Sequence, residues 1–248
     1  VDSRGFAEQL PEPMTASTTA PLTGQTERHL CSSAEAEALG VRVHRDVVAP
    51  FLQLKDEARA AGFDLQILSG FRGFEQQLSI WNRKASGQLA VLDSDAVPLD
   101  ITRLSEQELV FAILRWSALP GASRHHWGTD LDVYDAAARP DGYEIELIPE
   151  EVDHGGMFGA LHEWLDGRIA AGTAFGFFRP YDADRGGVAP ERWHLSHGPT
   201  AAPYGGELTA ELLRATIQAA AIELKDTILH NLDAIYGRFV INTNRFSA

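Results

Sequence analysis

Apolar positions along this chain recur at helical spacing in some stretches and at strand spacing in others, with clear breaks between them. Val47, Val48, Phe51, Leu52 and Leu54, followed by Ala58 and Ala61, predict a helix within Val43–Ala61 that Gly62 ends. Pro50 falls inside that span and marks either its start or a kink. Leu65–Leu68 reads as a short strand and Ser69-Gly70 as a turn; Phe74, Leu78 and Trp81 then form the apolar face of another helix, which sets Arg72 at a strand-to-helix junction. Ser105 and Glu108 have the spacing of a capping box ahead of the apolar run Leu109–Trp116, so a helix runs there and stops near Pro120. Period-two alternation over Thr129–Tyr134 predicts a strand with Asp130 and Asp132 on one face. Tyr143–Ile148 alternates too, and Asp141-Gly142 before it predicts a hairpin joining the two strands. Met157–Ile169 is a further expected helix, and Phe175–Phe178 and Arg192–Ser196 are short expected strands. From Glu207 to about Ile235, Leu213, Ile217, Leu224, Ile228, Leu232 and Ile235 follow intervals of three and four, as in one long amphipathic helix or two shorter ones.

No repeat of fixed period is present, and strands mix with helices without regular βαβ alternation, so the expected class is α+β. The opening segment, rich in Pro, Thr, Ser and Gly, shows no period and reads as an extended arm over residues 1–35. The main domain is expected over 36–205. A helical extension packed on it covers 206–248, which leaves the protein a monomer.

Composition narrows the function. The chain has 248 residues, 44% of them hydrophobic, enough for one large domain or a domain with an appendage. With 21 Lys+Arg against 35 Asp+Glu the net charge is −14, which excludes a general binder of phosphate backbones and argues against attachment to anionic membrane surfaces. No apolar run approaches the ~18 residues of a spanning helix. Cys31 is the single cysteine, so no internal disulfide forms. The chain starts at Val1, compatible with a removed leader or with trimming; a cytoplasmic location therefore stays open.

Two segments carry the chemistry, SRHHWGTDLDV (Ser123–Val133) and ERWHLS (Glu191–Ser196). They supply two histidines, a carboxylate on a strand and a glutamate three residues before the last histidine. A catalytic zinc site needs three such protein ligands, an open position for water and a carboxylate to take its proton. His125, Asp132 and His194 are the candidate ligands, for one Zn2+ per chain, and Glu191 is the candidate general base. Asp130, on the same strand face as Asp132, competes for the carboxylate position. His126 points elsewhere and either supports the ligands from behind or is structural. HEWLD (His162–Asp166) only partly matches a HExxH zinc helix and is expected on a helix surface, and His197 receives no role.

The ordered set Ser123, His125, Gly128, Asp132, then Glu191, Trp193 and His194, resembles the VanY-type zinc D-alanyl-D-alanine carboxypeptidase family. SGFRGFEQQ upstream is similar to that family's SGYRS-type motif, with Arg72 and Gln77 at its arginine and glutamine. The resemblance spans roughly Leu65–Ser196. It implies a Hedgehog/DD-peptidase-like α+β fold with a central antiparallel sheet flanked by helices. It also implies zinc on His125, Asp132 and His194, catalysis by Glu191, and a peptide substrate held by Arg72, Gln77 and Ser123. Two departures stand out: Asp130 replaces a small residue, and Gly73 a serine. An arginine can grip a terminal carboxylate with two parallel hydrogen bonds, which assigns that task to Arg72, alongside catalysis. The expected activity is removal of a C-terminal D-alanine from peptidoglycan stem peptides by a bacterial protein of the periplasm or cell envelope. A zinc dipeptidase or endopeptidase of the same fold is one alternative. A non-catalytic, zinc-containing module that binds cell-wall peptides is another, and the presence of Glu191 argues against it.

Overall fold

The computed structural model describes residues 19–247. Its sheet has four strands, β1 (Leu65–Ser69), β2 (Asp130–Asp135), β3 (Phe177–Phe178) and β4 (His194–His197), in the order β1-β2-β4-β3 with every pair antiparallel. The helices preceding or flanking it are α1 (Ser33–Leu39), α2 (Val48–Ala60), α3 (Phe74–Ala85), α4 (Glu106–Trp116), α5 (Pro149–Val152) and α6 (Gly159–Ala170). After β4 come α7 (Gly198–Glu207), α8 (Ala210–Ala219), α9 (Lys225–His230) and α10 (Leu232–Ile235). The capping box expected at α4 is present: Glu108 N–H donates to Ser105 Oγ, and Ser105 N–H donates to the Glu108 carboxylate at 2.8 Å.

Strand alternation divides the sheet into two chemical faces. Leu65, Ile67, Leu131, Val133 and Leu195 are buried in one cluster with Phe51, Leu54 and Ala58 of α2 and Leu161 and Leu165 of α6. Their neighbours Asp130, Asp132, His194 and Ser196 therefore point to the opposite face. A second cluster joins Phe74, Leu78 and Trp81 of α3, the apolar side of α4, and Leu213, Ile217, Ile228, Leu232 and Ile235 of the C-terminal helices. The chain after β4 thus shares a core with the helices that frame the site. No helix among the described residues is long and apolar enough to cross a membrane.

One expected strand is corrected. Tyr143–Ile148 is not a strand: the backbone N–H groups of Glu146 and Leu147 both donate to the Glu151 carboxylate at 2.9 Å, and the Tyr143 hydroxyl donates to it at 2.8 Å. Both edges of β2 are already taken by β1 and β4, so no partner was left for a hairpin. The C-terminal stripe is broken between α8 and α9 at Leu224, whose φ is 62°. There the end of α3 captures the backbone: Trp81 Nε1–H donates to Glu223 O at 3.1 Å, Asn82 donates to Ala221 O at 3.0 Å, and Asn82 accepts from Glu223 N–H at 2.9 Å. Residues 1–18 of the expected arm lie outside the described residues. From residue 19 onward the chain is tied down, with Leu22, Thr23, His29 and Leu30 buried.

Three histidines are buried in neutral form. Burial, followed by His44, lowers His29 to about 4; burial lowers His126 to about 3 and His162 to about 2, the latter helped by Arg179. Above the ordinary histidine pKa of ~6.5, folded and unfolded chains are alike at these positions; below it, only the unfolded chain takes up the protons. Stability should therefore fall as pH drops from ~6.5 towards 4, each histidine adding up to about 1.4 kcal/mol per pH unit. Denaturant unfolding at pH 7 and pH 5 checks this, and equal stability at both would contradict it.

Candidate metal and substrate site

The polar face of the sheet assembles the site through strand register. Asp132 lies directly opposite His194 on β4, and Asp130 opposite Ser196, so two cross-strand pairs stand side by side. On the other edge of β2 the register shifts between Ile67 and Ser69. This bulge brings Ser69, rather than Leu68, opposite Asp132 and turns the end of β1 towards the site. His125 arrives from the single helical turn Arg124–Trp127 just before β2. Gly128 ends that turn at φ 67°, and a Cβ there would lie 2.7 Å from the His44 backbone nitrogen, so the close turn requires glycine.

His125 Nδ1–H donates to the Gly70 carbonyl at 2.8 Å, which leaves Nε2 facing Asp132 Oδ2 at 3.3 Å. His194 turns Nδ1 towards Asp132 Oδ1 and Glu191 Oε2, both at 3.3 Å, and Nε2 towards Asp130 Oδ1 at 2.9 Å. The candidate ligand atoms of His125, Asp132 and His194 all lie within 4.8 Å of one another. Ligands around one ion at 2.0–2.2 Å would sit about 3–3.5 Å apart, so little movement closes the shell. Asp132 Oδ1 is buried without a hydrogen-bond partner among the described residues. Burial pushes the Asp132 carboxyl up, but His125 and His194 outweigh it and hold the group well below the ordinary range. The His194 ring, also penalised by burial, is raised well above its ordinary value by Asp130, Asp132 and Glu191. A buried carboxylate with two imidazoles and, among the described residues, no Arg or Lys of its own suits a divalent cation.

Asp130 is engaged elsewhere. It accepts from Arg124 Nε at 2.7 Å, Thr129 Oγ1 at 2.6 Å and Ser196 Oγ at 3.1 Å, and it lies outside the converging trio.

A cavity of about 240 Å³ opens over these residues. Arg72, Ser123 and Glu191 line it together with His125, Asp132 and His194. Gln77 does not line it; it is fully buried, accepting from Arg72 Nη1 at 3.0 Å and donating to the Ala118 carbonyl at 2.7 Å. Gln77 thus braces Arg72, whose Nη2 also donates to Ser69 Oγ at 3.3 Å. Trp116 and Trp193, stacked with ring centroids 6.4 Å apart, form an apolar wall with Leu147.

Sequence reasoning missed Tyr181 and Lys84, which also line the cavity. Tyr181 packs edge-on against the His194 ring at 5.0 Å, and burial pushes its hydroxyl up to about 12. Burial, and then Arg72, lower the Lys84 ammonium. Lys84 follows Gln77 by two turns on one face of α3, a spacing visible in the sequence. Tyr181 stands in an irregular loop that offers no such signal.

His126 is structural: its Nδ1–H donates to Arg72 O at 2.6 Å and its Nε2 accepts from Gly121 N–H at 3.1 Å. His162 departs from the expected helix surface. It is fully buried beside Arg179, while Asp166 ties Arg179 and Arg192 together at 2.7 and 2.6 Å.

Two imidazoles and a carboxylate thus converge beside a glutamate, with a braced arginine in the same cavity. A family profile described as VanY, D-alanyl-D-alanine carboxypeptidase, matches residues 40–200, and the chain belongs to that family. An uncharacterized protein of Haemophilus influenzae is 30% identical over 125 residues, covering 50% of this chain and 93% of the relative. A D-alanyl-D-alanine carboxypeptidase of Enterococcus faecalis is 28% identical over 181 residues, 71% of this chain and 54% of that protein. Among solved structures, VanYB in complex with D-alanine-D-alanine is 23% identical with a TM-score of 0.47, covering 77% of this chain and 91% of that one.

Proposed function

We propose that this peptidase is a carboxypeptidase dependent on one zinc ion per chain, that it removes a C-terminal D-alanine from peptidoglycan stem peptides, and that it works in the periplasm or cell envelope. The observation that carries this reading is the convergence of His125, Asp132 and His194 within 4.8 Å, with Glu191 3.3 Å from His194. When bound by those three residues, zinc supplies a Lewis acid for the scissile carbonyl and lowers the pKa of an attacking water. Glu191, only 13% exposed at its side chain, accepts the water's proton on its carboxylate and returns it to the departing amine. Arg72 uses two of its five N–H groups on Gln77 and Ser69, which holds the guanidinium in place and leaves the others for the terminal carboxylate. Ser123 lines the same cavity and would hold the peptide backbone, beside the apolar wall of Trp116 and Trp193.

The test is incubation of the zinc-loaded protein with tetrapeptide and pentapeptide stem fragments, with products identified by mass. Release of a single alanine from the pentapeptide is expected. Release only from the tetrapeptide would reassign the specificity to L,D bonds, and no release from either, with zinc bound, would leave a peptide-binding module.

A further inference from the structure

Asp130 is 0% exposed and accepts four hydrogen bonds, more than any ligand candidate beside it. A buried carboxylate is costly unless its charge is matched, and Arg124 matches it at 2.7 Å through Nε. The Arg124 side chain is itself fixed at three points: Nε on Asp130, Nη2 on Ser196 Oγ at 2.7 Å, and the guanidinium 4.8 Å from the Trp127 ring centroid. Thr129 and Ser196 take the second carboxylate oxygen, which fixes the orientation of the carboxylate. The oxygen that remains directed at the site meets His194 Nε2 at 2.9 Å.

We propose that Asp130, clamped by Arg124, is a positioning residue for His194. An ionised carboxylate can only accept, so it holds an imidazole proton on Nε2, and Nδ1, which faces Asp132 and Glu191, is then the nitrogen whose lone pair is left for a bound cation. His125 reaches the complementary state through the Gly70 carbonyl, with the proton on Nδ1 and Nε2 free. The two rings thus present different nitrogens to one point. Partners of this kind typically alter metal affinity 10–100-fold when removed. The inference rests on the zinc reading above and adds to it that affinity is set by a residue that does not touch the ion.

The tautomer of His194 can be read in the wild-type protein by nitrogen-15 NMR of the imidazole rings in the zinc-loaded state. A proton on Nε2 with Nδ1 shifted as a metal ligand is expected, and the reverse pattern would overturn the proposal. In parallel, Asp130→Ala and Asp130→Asn are titrated with zinc against a chromophoric chelator and with cobalt(II) by visible absorption. Asp130→Ala should bind zinc 10–100-fold more weakly with an altered cobalt spectrum, and Asp130→Asn, which keeps an acceptor, should recover part of the loss. Unchanged affinity in a folded Asp130→Ala protein would refute the positioning role while the zinc reading stands. Failure of the wild type itself to bind zinc would instead remove the reading beneath it. Should Asp130→Ala not fold, the tautomer measurement decides alone.

Discussion

Glu191→Gln is expected to keep its zinc and to lose at least ~100-fold in turnover on a stem pentapeptide. The substitution preserves size and a hydrogen-bonding oxygen but removes the basic carboxylate that would take a proton from water. Glu191 lies beside His194 at 3.3 Å without belonging to the His125, Asp132 and His194 trio, so its loss should reach the chemistry and spare the ion. Zinc content by elemental analysis and kcat from single-alanine release separate the two. Wild-type turnover in this variant would remove Glu191 as the base, and loss of zinc would move it among the ligands.

His194→Ala should behave in the opposite way, losing metal and activity together. Apparent zinc binding energies of ~10–16 kcal/mol spread over a ligand set put about 3 kcal/mol on each, or roughly 100-fold in affinity per ligand removed. The damage extends further here, because His194 also partners Asp130, whose buried charge would keep only Arg124, Thr129 and Ser196. Near-stoichiometric zinc in purified His194→Ala protein would contradict its place as a ligand. The contrast between the variants is more informative than either alone, since one dissociates catalysis from metal and the other couples them.

Much of this site was legible in the chain. Alternation over Thr129–Tyr134 put Asp130 and Asp132 on one face because a strand's side chains alternate whatever surrounds it, and β2 bears this out. The strand-to-helix position of Arg72 and the start of α4 at Ser105 also rest on local geometry, and both hold. Tyr143–Ile148 shows where local pattern fails. Its alternation is real, yet a strand needs a free edge, and Glu151 offered its backbone a different set of acceptors. The C-terminal stripe left open one long helix or two shorter ones, and it breaks because Trp81 and Asn82 of α3 bond the backbone where a continuous helix would have used its own groups.

By itself, the sequence determined the α+β class, the family and the short set of candidate side chains for the proposed ligands, base and carboxylate grip. These depend on residue type, on spacing and on periods of two and 3.6, all of which are local. Tertiary structure alone gave Asp130 and Asp132 different surroundings. Both lie on one strand face, and only the cross-strand register, which sets Asp132 opposite His194 and Asp130 opposite Ser196 within reach of Arg124, separates them. It likewise made Gln77 a brace and brought Tyr181 and Lys84 to the cavity, because burial and partner atoms are properties of segments far apart in the chain meeting in space.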